Sequence, residues 1–464
     1  MPEFDPANFG NGPWNNTTTL HPLAALLIVV LGLALLLLPR RWAVAPMIVM
    51  ACFVAPAQRI VVFTLDFDLL RIMVLFGWLR LVIRREAGGF RWQTMDTVIL
   101  CWAASATIIN TLQHQSIEAL INRLGFSFDM LGMYYLFRCL VRDWCDFEHV
   151  VLAFVVVSVP VAAVFLIENQ TGHNAFAFFG GVPEITMVRN GRPRCQGAFA
   201  HPILAGCFWA SLAPLFAARW WYGGRQRLVA VVGLATSGVI ILCCASSTPV
   251  TAVLLGVVAA AFFPLRRHMR WVRWALVGTL VGLHLVMKTP VWHLLARIDI
   301  IGGSTGWHRY FLVNLMVQHF GDWWLLGTHN TEGWHPRGFV DVTNQYFLEG
   351  LSGGLLTLSI FVALIVLCFQ AVGRCWRQAG RDARHAIMAW ALGVSLFIHC
   401  VNFFAISYFG QIIMLLYLSL AIIAGLAPAV RRTAPVRRSQ LASGTRMFPP
   451  TAATCVPAAL RRNR

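Results

Sequence analysis

VVLAFVVVSVPVAAVFLI, residues 150–167, holds eighteen residues without a charge. At 1.5 Å of rise per residue a helix of that length covers about 27 Å, close to the roughly 30 Å hydrocarbon core of a bilayer. The stretch therefore reads as a membrane span. Working outward, comparable segments occur at 20–38, 42–56, 66–83, 97–112, 130–141, 202–218, 228–245, 250–265, 274–287, 346–372, 387–404 and 411–426. Those at 42–56 and 130–141 are short, so twelve or thirteen transmembrane helices are expected. Composition agrees: 58% of the chain is hydrophobic, 12% is charged, and the mean hydropathy is +0.67. A soluble domain cannot hide that much apolar surface. The expected fold is all-α and polytopic, with residues 1–430 as one membrane domain. The first twenty residues lack Lys and Arg, so no positively charged leader is expected.

The formal net charge of +18 is a topology signal. Arginine supplies nearly all of it, and Lys288 is the single lysine. Clusters at Arg40 and Arg41, at Arg84, Arg85 and Arg91, at Arg138 and Arg142, at Arg219, Arg225 and Arg227, at Arg266, Arg267, Arg270 and Arg273, and at Arg374, Arg377, Arg381 and Arg384 follow alternate span ends. The positive-inside rule assigns these ends, and the basic tail 431–464, to the cytoplasm. A Pro, Ser and Arg mixture beside a membrane is expected to remain disordered near anionic lipid, with no nucleic-acid partner.

A minority of basic residues falls on the opposite side: Arg59, Arg123, Arg189, Arg192, Arg194, Lys288, Arg297, Arg309 and Arg337. These violate the orientation bias, and something other than topology must retain them. Most lie in two external loops, 168–201 and 289–345, the second expected to form a partly helical cap. Loops of that length between packed elements usually carry function. The first runs from Glu168 through Arg189, Arg192 and Arg194 to His201-Pro202, whose guanidinium forks suit phosphate or pyrophosphate. In the second, Ser304-Thr305-Gly306 reads as a helix start, which sets Arg309 in a first turn where free N–H groups also favour an anion. Tyr310, Val313, Val317 and Phe320 recur at helical spacing and could lie on the membrane surface. Candidate bases near neutral pH are His329 and His335. The twelve cysteines show no metal-ligand or disulfide spacing and read as small apolar side chains, with Cys195 alone in an external loop. Triplets at Asn15 and Asn169 fit glycosylation acceptors, a pattern too short to be specific.

The order Arg-x-x-Gly-x-Phe-x-His-Pro at 194–202, Gly-x-x-Arg at 306–309, then Thr-Asn-Gln-Tyr at 343–346 followed by Gly350 and Gly353-Gly354 resembles the O-antigen ligase and polymerase superfamily. The resemblance covers 168–372. It implies a membrane glycosyltransferase that takes a glycan from undecaprenyl diphosphate to the hydroxyl of an acceptor glycan or glycolipid, on the outer side of the bacterial inner membrane. Neither cofactor nor metal is expected. By position, Arg194 and Arg309 correspond to the family's diphosphate-holding arginines, with Arg192 assisting; Asn344 and Tyr346 fall on the acceptor side, and Glu168 and His201 at the mouth. One departure stands out: the family's usual His is Thr343 here, so either His329, His335 or Asp341 replaces it or acceptor activation differs. This tilts the reading towards a polymerase-like member.

Two other readings deserve weight. Asp66 and Asp68 at an outer span end would suit a metal-dependent transferase, although Asp68 pairing with Arg71 explains them more simply. A transporter or flippase for a lipid-linked glycan would need ionisable groups or broken helices near the midplane. The spans read as largely apolar to their centres, which favours chemistry at the external interface.

Overall fold

The computed structural model describes residues 17–63, 65–297, 306–334, 342–380 and 382–433. His335 and Asp341, two of the candidate bases, lie outside the described residues, as does the tail beyond 433. The helices are α1 Pro22–Leu37, α2 Ala45–Phe53, α3 Leu69–Ile83, α4 Thr94–His114, α5 Ile117–Leu140, α6 Trp144–Thr171, α7 Pro202–Ala218, α8 Arg225–Cys243, α9 Ser247–Ala261, α10 Met269–Val286, α11 Gly306–Gln318, α12 Phe320–Trp323, α13 Gln345–Gln378, α14 Ala383–Phe403 and α15 Gln411–Thr433. Two short antiparallel hairpins join them: β1 Arg59–Val62 with β2 Leu65–Asp68, and β3 Val188–Arg189 with β4 Arg192–Pro193.

Each apolar segment of the sequence coincides with a helix, from α1 to α10 and α13 to α15. Six of them, α4, α6, α7, α8, α13 and α14, are individually long and apolar enough to cross a bilayer, and α9 with α10, bent by 70°, makes a seventh if counted as one span. The protein is an all-helical, multi-pass membrane protein. Lengths differ from expectation at three places. Helix α2 has nine residues, or about 14 Å, less than half a hydrocarbon core. Helix α3 begins at Leu69 rather than at 66, because Asp68 accepts a hydrogen bond from the Arg71 amide at 2.7 Å and caps it while Asp66 pairs in the hairpin. Helix α5 has 24 residues where twelve were legible, since Glu118, Arg123 and Asp129 depress the hydropathy of its first half. Side-chain partners make those polar residues tolerable: Arg71 forks onto Asp129 at 2.8 and 2.6 Å.

The two ends of the bundle differ in chemistry. At one end Arg40 pairs with Asp146 at 3.0 Å, Arg80 with Glu86 at 2.8 Å, Arg138 with Asp96 at 3.1 Å and Arg219 with Glu148 at 3.7 Å. Gln93 reaches across to the Ala424 carbonyl there at 2.7 Å. The opposite end gathers the start of α7, the α8–α9 turn, the start of α13 and the α14–α15 turn. Between the ends, small residues let helices approach closely, as lipid-embedded packing requires: a Cβ on Gly206 would meet the Pro249 ring, and Gly77 lies against Leu136. Helix α10 stands apart and buries none of its residues.

Helix α13 is broken. Gly353 and Gly354 leave helical geometry, Gly354 at φ +65°. The loop after α12 fills the gap: the Leu355 amide donates to Trp324 O at 2.8 Å, the Thr328 amide to Leu351 O at 2.9 Å, and the Gln113 amide to Leu326 O. A Cβ on Gly354 would overlap the Leu325 carbonyl, so a close approach and a left-handed φ both demand glycine there.

Candidate functional site

The first loop is organised by Glu168, which is fully buried at the end of α6. Its carboxylate accepts from the amides of Gln196 at 3.0 Å and Gly197 at 2.9 Å, and from the Thr186 hydroxyl at 3.3 Å. Gly197 takes φ +57°, and a Cβ would come within 2.5 Å of the Phe165 ring. Phe199 is buried against Phe208 with ring centroids 5.2 Å apart, and His201 caps α7 by accepting from the Ile203 amide at 3.1 Å ahead of Pro202. The Arg-x-x-Gly-x-Phe-x-His-Pro run is thus a turn latched by Glu168, anchored by Phe199 and ended by a helix cap. Its conformation sets Arg194 at a defined place.

Arg194 is 5% exposed, and its main-chain amide donates to Met187 O at 2.8 Å. The guanidinium has one weak contact, to the Met187 sulfur at 3.9 Å, and its Nε has no partner. Burial, then the neighbouring Arg189, lower its pKa, against a smaller opposing pull from Cys244. Arg309, in α11, is 9% exposed; it donates to the Thr248 hydroxyl at 2.6 Å, and its Nε is likewise unpartnered. Burial lowers its pKa too. A guanidinium has no neutral form near pH 7, so both positive charges persist at a desolvation cost.

The loop carrying Arg194 and the helix carrying Arg309 each contact the segment around the α8–α9 turn. The Cys195 amide donates to Cys243 O at 3.0 Å, tying the first loop to the end of α8, and Arg309 binds Thr248 four residues after Cys244. Of the six buried arginines among the described residues, Arg59, Arg80, Arg138 and Arg219 pair with Asp66, Glu86, Asp96 and Glu148. Arg194 and Arg309 have no carboxylate partner among the described residues. Two such guanidiniums around one turn present donors for an anion.

The remaining candidates are distributed differently. Arg192 is exposed on the β3–β4 hairpin, opposite Arg189 in register. His201 is held neutral, its pKa lowered to about 4 by burial and then by Arg194 and Arg189. Asn344 caps α13, accepting from the Phe347 amide at 3.2 Å and donating to Phe404 O at 3.4 Å. Tyr346 donates to Cys400 O at 3.3 Å. His329 is exposed, 4.7 Å from the ring of His114, and among the described residues no contact links it to either arginine. Helix α11 buries Arg309, Leu312 and Met316 and leaves Val317 exposed, as is Phe320 at the start of α12. Asp66 pairs with Arg59, and no three His, Cys, Asp or Glu side chains gather for a metal among the described residues.

Buried polar groups inside the helices escaped the sequence reading. Glu349 accepts from Trp102 Nε1 at 2.7 Å and from Gln345 at 2.8 Å, while Arg123 donates to Asn110 at 2.7 Å. His399 and Asn402 surround the Tyr408 hydroxyl at 2.9 and 3.4 Å. The available signal was a polar residue in an apolar run, as in Phe397-Ile398-His399-Cys400-Val401-Asn402-Phe403, where each polar side chain is expensive and needs a reason. No family model and no curated protein matches this chain.

Proposed function

We propose that this chain is a membrane glycosyltransferase that moves a glycan from undecaprenyl diphosphate to an acceptor sugar hydroxyl during O-antigen or exopolysaccharide assembly. The observation that carries the reading is that the buried Arg194 and Arg309 have no carboxylate partner among the described residues. An uncompensated buried charge is costly, and a diphosphate is a ligand whose charge and oxygens would suit two guanidiniums acting on one anion. In the reaction the acceptor oxygen bonds to the anomeric carbon as the bond from that carbon to the diphosphate oxygen breaks. The electron pair leaves with undecaprenyl diphosphate, the hydroxyl proton passes to a base, and the configuration inverts. Arg194 and Arg309 offset the charge growing on the leaving group, and preorganised donors in a water-poor site do so most effectively. Glu168 fixes the loop that carries Arg194, and His201, neutral and capping α7, adds no competing charge.

The positive-inside rule orients the arginine-rich end towards the cytoplasm of a bacterial inner membrane and the loop end outward. The broken helix bears on the transporter alternative. From Leu355 to Gln378 helix α13 has 24 residues, about 36 Å, enough alone to cross the hydrocarbon core. A break near one end of this span supports the transferase reading, since a transport site would need it near the midplane.

The test is reconstitution in proteoliposomes with undecaprenyl-diphosphate-linked glycan. Arg194→Ala and Arg309→Ala are expected to reduce transfer about 100-fold or more, the scale of losing one transition-state donor. Transfer at the wild-type rate in both variants would end the proposal. In cells lacking the protein, accumulated single repeats identify a polymerase and finished chains a ligase.

A further inference from the structure

We propose that His399, Asn402 and Gln411 form the subsite that binds the acceptor sugar by its hydroxyl groups. This rests on the transferase reading. His399 and Asn402 are fully buried and Gln411 is 1% exposed, yet each has a polar atom without a partner: His399 Nε2, Asn402 Oδ1 and Gln411 Oε1. The Tyr408 hydroxyl accepts from Asn402 Nδ2 and pairs with His399 Nδ1. With the Tyr408 proton given to Nδ1, the imidazole proton sits on Nε2. One open group gives a hydrogen bond and its neighbour accepts one, the requirement of a hydroxyl, which does both. Gln411 adds a second acceptor while its amide holds Ala198 O at 2.7 Å, four residues beyond Arg194.

Location supports the assignment. An attacking hydroxyl must come within about 3–3.5 Å of an anomeric carbon, which lies one oxygen from the diphosphate. The acceptor site must therefore lie within a sugar's width of the arginines. Helices α7, α9 and α14 pack on one another, with Ser395 donating to Ser211 O at 2.6 Å, and Arg309 binds Thr248 at the start of α9. Gly410 lies against Ala200 and Pro56, which brings the start of α15 to the same loop. Anion donors and hydroxyl partners thus flank one helix end.

The test measures binding of methyl glucoside, methyl galactoside and methyl mannoside to the full chain in nanodiscs by saturation-transfer NMR. At least one glycoside is expected to bind wild type, with Kd raised tenfold or more in His399→Gln and Asn402→Ala and unchanged in Arg225→Ala, an exposed arginine outside both sites. Asn402→Ser serves if the alanine variant is not monodisperse. Binding of no glycoside, binding equal in all variants, or loss in Arg225→Ala matching that in His399→Gln would each overturn the subsite. Failure of wild type to transfer glycan, with this binding pattern intact, would instead remove the transferase reading and leave the sugar site standing.

Discussion

The two ends of this bundle handle buried arginine in opposite ways. At the arginine-rich end Arg138 is locked: Asp96 takes its Nε and Nη2 at 3.1 and 3.2 Å, and the Tyr134 hydroxyl donates to Asp96 at 2.7 Å. At the loop end Arg194 and Arg309 are as deeply buried but are left with a thioether, one threonine hydroxyl and open Nε atoms. Paired charge builds structure, and the charge unpaired among the described residues is the one proposed to meet a ligand. The same residue type thus serves scaffold and site within one molecule, and only its neighbours tell which.

Stability separates the two groups most widely. Arg138→Ala strands the fully buried Asp96 carboxylate and is expected to cost about 3–5 kcal/mol. Arg194→Ala and Arg309→Ala remove charges with no counter-ion among the described residues and should leave the detergent-solubilised melting temperature unchanged or slightly raised. A loss in either loop-end variant equal to that of Arg138→Ala would erase the distinction. A smaller effect is expected at the broken helix. Gly354→Ala must strain a left-handed backbone and push aside the Leu325 carbonyl, at about 1–3 kcal/mol. Faster hydrogen exchange at the Leu355 and Thr328 amides would report it, and wild-type protection would show that the loop does not depend on the glycine.

The smallest effect concerns His201, whose pKa falls from 6.5 to about 4 on folding. Below pH 6.5 the unfolded chain takes up a proton that the folded chain refuses until near pH 4. Stability is therefore lost as the pH drops through that window and is unaffected above it. His201→Asn keeps a side-chain cap on α7 and should flatten the dependence between pH 6.5 and 4. Parallel curves for variant and wild type would mean that His201 is not held neutral.

Much of the fold is legible in hydropathy, because a span has to be long and apolar wherever it meets lipid. What escapes are segments shielded by protein. Helix α2 is too short to cross alone, and the first half of α5 is polar because Arg123 and Asp129 find partners on other helices. Arg194 and Arg309 are visible as basic residues on the wrong side of the charge pattern. Their lack of carboxylates is a tertiary fact, since Arg59 looks the same in the sequence and pairs with Asp66. Glu168 is visible too, but its latch depends on the turn that Gly197 makes 29 residues later. His399 and Asn402 are hidden by the apolar run around them.

The most direct measurement is binding of farnesyl diphosphate and farnesyl monophosphate to the purified protein. The diphosphate should bind in preference to the monophosphate, and Arg194→Ala and Arg309→Ala should each weaken it about 10- to 100-fold, the worth of a charge-assisted hydrogen bond. Affinity for the diphosphate equal in wild type and both variants would contradict the claim that these two arginines share one anion.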